Sequence, residues 1–156
     1  YEILRCLVGS EMCIRDRPRT YAQRKAWVES HHDPYAVFVT TVPATDAATE
    51  GGERIIGFSA LSVFYDRAGY DGVTDLAYYI APEWQGRGAG TFTLAKLLDE
   101  CRNRHMRKAC GIIFADNRGS IALMKHFGFT QFGLMPQAAT DSTGTMRDMS
   151  YWHLDL

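Results

Sequence analysis

The stretch LAYYIAPEWQGRGAGTFTLAKLL, residues 76–98, constrains this chain more than any other. An aromatic and aliphatic run ends at Ala81-Pro82, a glycine-rich hexapeptide follows, and an amphipathic run begins at Thr91. Proline and alternating glycines break regular structure, so the pattern predicts strand, turn and helix in that order. Gly86, Gly88 and Gly90 let the backbone turn tightly and approach a ligand with no Cβ in between. The amides of the loop end and of the first helical turn lack intrahelical partners and sit at the positive end of the helix dipole. Such a junction is a site for a phosphate or pyrophosphate.

Two nucleotide folds fit it poorly. A dinucleotide-binding G-x-G-x-x-G needs its third glycine where Thr91 stands, and no acidic residue follows where a ribose hydroxyl would need one. A P-loop needs a lysine before its Ser or Thr, and Gly90 precedes Thr91.

The flanking sequence predicts a helix over TYAQRKAWVESHH from Thr20, stopping before Asp33-Pro34. Strands follow at Tyr35–Val42 and Arg54–Phe64, joined by the polar loop Pro43–Glu53, with Gly57 marking a bulge or close approach. A third strand covers Val73–Ala81. In the helix after the glycine loop, Phe92, Leu94, Ala95, Leu97, Leu98 and Cys101 form the apolar face. Lys108–Ala115 reads as a buried strand, then a helix capped by Ser120 and stopped by Gly128. Two closing strands flank the turn DSTG. The order α-β-β-β-α-β-α-β-β describes an α/β fold, a mixed sheet with helices on its faces.

At 156 residues the chain has the size of one domain. With 17 basic and 18 acidic residues it has no electrostatic footprint for nucleic acid or an anionic membrane. No apolar run approaches the roughly 20 residues of a membrane span. Cys6, Cys13, Cys101 and Cys110 form no C-x-x-C and no zinc-type spacing with histidine, so no metal site is expected, and free thiols in a reducing cytoplasm are.

Gln85-Gly86-Arg87-Gly88-Ala89-Gly90 resembles the Q/R-x-x-G-x-G/A pyrophosphate loop of the GNAT acyl-CoA N-acyltransferases. Asn117-Arg118-Gly119-Ser120, then His126-Phe127-Gly128-Phe129, resembles that superfamily's N-x-x-S, helix, G-F element. The ending from Arg147 to Leu156 is similar to the closing strand of the phosphinothricin, methionine-sulfone and L-amino-acid N-acetyltransferases. The resemblance covers about Pro18 to Leu156. It implies acetyl-CoA as cosubstrate, seated where the strands Val73–Ala81 and Lys108–Ala115 splay apart, and a small-molecule amine as acceptor. Backbone around Tyr78, Tyr79 and Ile80 would pair with the pantetheine amides. An amide at Tyr79 or Ile80 would polarise the thioester carbonyl. Amides from Gln85 through Gly86, Arg87, Gly88, Ala89 and Gly90 to Thr91 would hold the pyrophosphate, with Asn117 and Ser120 at the pantetheine arm.

Acetylation needs a neutral amine and therefore a base. Asp75, ten residues before Gln85, stands where this branch carries an acidic residue, and alternation puts it on one strand face with Ala77 and Tyr79. The branch's usual thiolate acid lies seven residues after the motif Asn, which here is Met124, a side chain with no proton to donate. Either water assists departure or the donor lies elsewhere. His126 faces away from Met124 on the same helix. The resulting expectation is direct transfer within a ternary complex by a cytoplasmic N-acetyltransferase, with a homodimer as candidate assembly. The alternatives are a catalytically degenerate acyl-CoA-binding module, suggested by Met124, and a peptide or protein N-acetyltransferase.

Residues 1–17 fit none of this. Leu7 to Arg17, LVGSEMCIRDR, resembles the translation of transposase-adapter sequencing DNA. The expected organisation is a non-native segment at residues 1–17 and a transferase domain at 18–156 whose first strand and helix are missing or replaced, as in a metagenomic fragment. Cys6 and Cys13 then carry no chemistry, and the Tyr35–Val42 strand is expected at an open sheet edge.

Overall fold

The computed structural model describes residues 20–44, 52–141 and 143–156. The expectations for residues 1–17 lie outside these. Nine elements follow in the expected order: α1 Tyr21–Glu29, β1 Ala36–Pro43, β2 Glu53–Val63, β3 Val73–Ile80, α2 Ala89–Asn103, β4 Lys108–Phe114, α3 Arg118–His126, β5 Thr130–Thr140 and β6 Met146–Asp155. Short 3₁₀ turns at Ala68–Tyr70 and Pro82–Trp84 enclose β3. No helix among the described residues is long and apolar enough to cross a membrane.

The strands form one sheet in the order β1-β2-β3-β4-β6-β5. Every pair is antiparallel except β3 and β4. A parallel pair needs a crossover, and α2 supplies it.

Residues opposite each other across strands share a face. Leu76 pairs with Leu61 and joins a core with Leu94, Leu97, Leu98 and Cys101 of α2, Met124 of α3, Ala109 and Trp152. Complete burial of Leu61, Leu94, Leu97 and Leu98 contributes about 1.5–3 kcal/mol each. The other face carries the row Ser62, Asp75, Cys110 and His153. His31, just past α1, hydrogen-bonds Ser62 at 3.0 Å, which seats α1 over that second face.

Local chemistry explains the ends of these helices. Thr20 accepts from Gln23 N–H while the Gln23 side chain accepts from Thr20 N–H, a capping box that starts α1. Gly128, at φ 80°, ends α3 in the left-handed region. Two expectations need correction. Phe92 is 57% exposed, because Thr93 and Leu94, the next two residues, take the inward positions. Ser120 is not the cap of α3: Asn117 is, and its side-chain oxygen accepts from Ser120 N–H at 3.1 Å.

Gly57 is a close-approach point. A Cβ there would stand 2.4 Å from the Tyr79 carbonyl oxygen, so only glycine lets β2 lie this near β3. Beside it the β1–β2 register slips, Thr40 facing Gly57 and Thr41 facing Ile55, which makes Ile56 the extra residue of a bulge.

Candidate active site

β3 and β4 pair only through Val73–Lys108, Thr74–Ala109 and Asp75–Cys110. Beyond Asp75 they separate, while β2 still pairs with β3 as far as Ile80 and β6 with β4 as far as Phe114. The sheet is thus split from within, and two strand edges face each other across a gap.

Hydrogen-bond directions along β3 follow from its end. Ala81 N–H donates to the Ile56 carbonyl at 2.8 Å, on the β2 side. Across a trans peptide the Ile80 carbonyl therefore points into the gap, and alternation turns Ile80 N–H and both polar groups of Tyr78 the same way. The Tyr79 N–H points to β2 instead. Of these two amides, Ile80 N–H is the one that faces the gap.

At the mouth of the gap lies the glycine loop. Gly86 and Gly88 have φ of 69° and 87°, and no atom lies within 4 Å of a Cβ built at either. Gly88 caps α2 with backbone alone, its carbonyl accepting from Phe92 N–H at 2.9 Å. The amides of Gly86, Arg87, Gly88, Ala89, Gly90 and Thr91 have no hydrogen-bond partner among the described residues. An open run of unpaired donors at a helix N-terminus fits a pyrophosphate. Gln85 is placed otherwise than expected. Its N–H closes on the Pro82 carbonyl at 3.2 Å, and its side chain donates to the Ile80 carbonyl at 2.9 Å. It ties the loop to β3, and its own N–H is already occupied.

Asn117 is the N-cap of α3. Because its side-chain oxygen is held by Ser120 N–H, the amide NH₂ is the group left to donate to an acceptor.

On the α1 face, Asp75 stands at the last paired position before the split. Its Oδ1 is buried without a hydrogen bond, and burial pushes the carboxyl up from 3.8 to about 6. Neighbouring Cys110 is pushed up to about 11, by burial first and the Asp75 charge second. Cys101, deep in the core, reaches about 12, mainly through burial. Neither thiol is ionised near neutral pH, so neither is an activated nucleophile. His31 Nδ1 lies 2.7 Å from the Trp27 carbonyl, which fixes the proton on Nδ1, so Nε2 accepts from the Ser62 hydroxyl. No linear pattern marks the His31–Ser62 link, because the two residues stand 31 positions apart in the chain.

On the core face, Met124 is 1% exposed and rests on Gly111, its sulfur 3.3 Å from where a Cβ there would be. Tyr78 reaches over the same face. Its hydroxyl is buried and accepts or donates no hydrogen bond, and burial raises its pKa, with Ser120 near enough to oppose the shift but outside hydrogen-bonding geometry.

The parallel pair splays beside a glycine-capped helix, as the resemblance implies. The chain belongs to the acetyltransferase (GNAT) family, whose model matches residues 7–129. That match runs through Leu7–Arg17 and so includes the adapter-like stretch. The chain is 26% identical over 151 residues to the L-methionine sulfoximine/L-methionine sulfone acetyltransferase of Pseudomonas aeruginosa, covering 96% of this chain and 83% of that one. It is 30% identical over 118 residues to the phosphinothricin N-acetyltransferase of Streptomyces coelicolor, covering 74% and 65%. The fold is shared with a phosphinothricin acetyltransferase from Sinorhizobium meliloti solved in complex with acetyl-CoA, at TM-score 0.76 and 23% identity, covering 99% of this chain and 80% of that one.

Proposed function

We propose that this acetyltransferase moves acetyl from acetyl-CoA to the primary amine of a small amino-acid-like substrate of the phosphinothricin or methionine-sulfone type, by direct attack in a ternary complex. The observation that carries the reading is the gap that opens at Asp75, bounded by unpaired backbone at Tyr78, by the open Ile80 N–H and by the free amides of Gly86–Thr91. The names of the relatives support the choice of acceptor.

Acetyl-CoA, when bound, supplies an acetyl carbon activated as a thioester. Everything else falls to the chain. The Gly86–Thr91 amides hold the pyrophosphate, and the Asn117 NH₂ donates to the pantetheine arm. Tyr78 N–H and C=O pair with that arm as a neighbouring strand would. Ile80 N–H points at the carbonyl oxygen and stabilises the negative charge that grows on it. Asp75 takes the proton of the substrate ammonium, directly or through a water. Its raised pKa suits that role, since a base with pKa near 6 is ionised at neutral pH yet still attracts a proton. The acceptor enters from the α1 face, where Asp75 and Tyr79 lie; Tyr79 stacks near Phe58 at 5.9 Å between ring centroids.

The test is release of coenzyme A thiol from acetyl-CoA with a panel of free amino acids, phosphinothricin and methionine sulfone. Turnover with the last two is expected. Silence across the panel, with no coenzyme A binding by calorimetry, would overturn the reading. Met124 in the core favours one second reading, a module that binds acyl-CoA without turnover. It predicts binding, no thiol release and no effect of Asp75→Asn.

A further inference from the structure

Met124 leaves the departing sulfur without a donor on α3. Its thioether has no proton, and it is committed to packing on Gly111. One turn earlier on the same helix stands Ser120, and the side chain beside Ser120 is Tyr78. Tyr78 projects from the core face of β3, packed against the cluster that joins α2 and α3. The start of α2 and the middle of α3 close together there, with Leu123 3.2 Å from where a Cβ on Gly90 would be. The phenol thus lies between the helix that follows the glycine loop and the helix that Asn117 caps. Its own backbone faces the gap.

Its oxygen is buried and has no partner. Buried hydroxyls are nearly always hydrogen-bonded, and one that is not marks a place where something else completes the bond. We propose that the Tyr78 hydroxyl donates a hydrogen bond to the thioester sulfur as it departs, filling the role that Met124 cannot. This rests on the acetyl-transfer reading above. The amine nitrogen bonds to the acetyl carbon, and the carbon–sulfur bond breaks with its electron pair going to sulfur. The ammonium proton passes to Asp75 before attack, and the second N–H proton passes from the adduct to water as the bond to sulfur breaks; the sulfur gains its proton from water, and Tyr78 keeps its own. The phenol stabilises the thiolate charge while it exists. Burial, which raises its pKa, keeps it a neutral donor throughout the neutral range.

The experiment compares wild type with Tyr78→Phe, with coenzyme A itself as the probe. The ultraviolet absorbance of the bound thiolate is followed against pH. A charge-assisted hydrogen bond from Tyr78 lowers the bound thiol's pKa in wild type by about one to two units relative to Tyr78→Phe. In turnover, kcat of Tyr78→Phe falls about ten- to a hundredfold, while KM for acetyl-CoA changes less than about threefold. Identical thiol titrations in the two proteins overturn the proposal and leave the acetyl-transfer reading standing. A change in KM alone overturns it too, assigning the hydroxyl to uniform binding. Removing an unpartnered hydroxyl does not weaken the fold, so Tyr78→Phe melts no lower than wild type. A lower melting temperature would show a hidden structural bond and refute the proposal. Failure of wild type to bind coenzyme A at all would instead bring down the acetyl-transfer reading, and this inference with it.

Discussion

The Gln85 side chain donates to the Ile80 carbonyl at 2.9 Å, so the first residue of the glycine loop is fastened to the last residue of β3. The bond occupies the one carbonyl at the end of β3 that points into the gap, and it leaves the adjacent Ile80 N–H as the open donor. The loop and the open Ile80 N–H are set by the same contact.

Replacing Gln85 with leucine removes that bond and leaves the Ile80 carbonyl to water. A neutral hydrogen bond contributes about 1 kcal/mol. Affinity for coenzyme A should therefore fall about fivefold by calorimetry, with kcat lowered as Ile80 loses its orientation. Unchanged affinity would show that the loop holds its shape alone.

Gly88 caps α2 at φ 87° with open space where a side chain would go. Gly88→Val meets no protein atom, but it forces a β-branched residue into the left-handed region at about 1–2 kcal/mol or more. It also projects methyl groups toward the amides that are to face pyrophosphate. Coenzyme A affinity should drop at least tenfold and the melting temperature should fall. Retained affinity would refute the loop as the phosphate site.

Asp75 links activity and stability with opposite signs. Its folded pKa of about 6 lies above the ordinary 3.8, so the fold favours the neutral carboxyl. That contribution is complete below about pH 4 and is lost as pH rises through 6, a difference on the order of 3 kcal/mol. Catalysis needs the ionised form, so kcat/KM should rise with pH through about 6 and then level. Asp75→Asn should lose that limb and about a hundredfold in kcat/KM at pH 7. The same variant should melt at or above wild type at pH 7, and the advantage should vanish at pH 4. A variant both inactive and less stable at neutral pH would mark Asp75 as structural.

Direct transfer needs no thiol nucleophile. With Cys101 near 12 and Cys110 near 11, alkylation at pH 8 followed by peptide mapping should leave both unmodified in the folded protein. Labelling should appear only after denaturation. A fast-reacting Cys110 beside Asp75 would reopen a covalent route.

The sequence alone determined the element order and the chemistry of the loop, because both rest on short-range rules. Proline and glycine punctuate at Pro82, Gly86, Gly88 and Gly128, and apolar spacing from Leu94 to Cys101 marks the buried stripe of α2. The face that Asp75 takes was legible for the same reason, since strand alternation assigns it without any knowledge of its partners. Where the first turn of α2 tilts against its neighbours is a tertiary matter, and there Phe92 came out exposed. The cap of α3 depended on which of two competent side chains, Asn117 or Ser120, reached a free amide first.

Only the folded sheet decided the rest. The direction of each β3 peptide group depends on Ala81 bonding to Ile56, a contact between residues far apart in the chain. It is this that separates Ile80 from Tyr79 as the gap-facing amide. Histidine 31 acquired a place beside Asp75 because α1 is laid over Ser62, and Tyr78 acquired meaning because its hydroxyl was buried with nothing to bond. Hydrogen-bond satisfaction is counted over neighbours in space, and a linear pattern holds no record of which polar atom will be left without one.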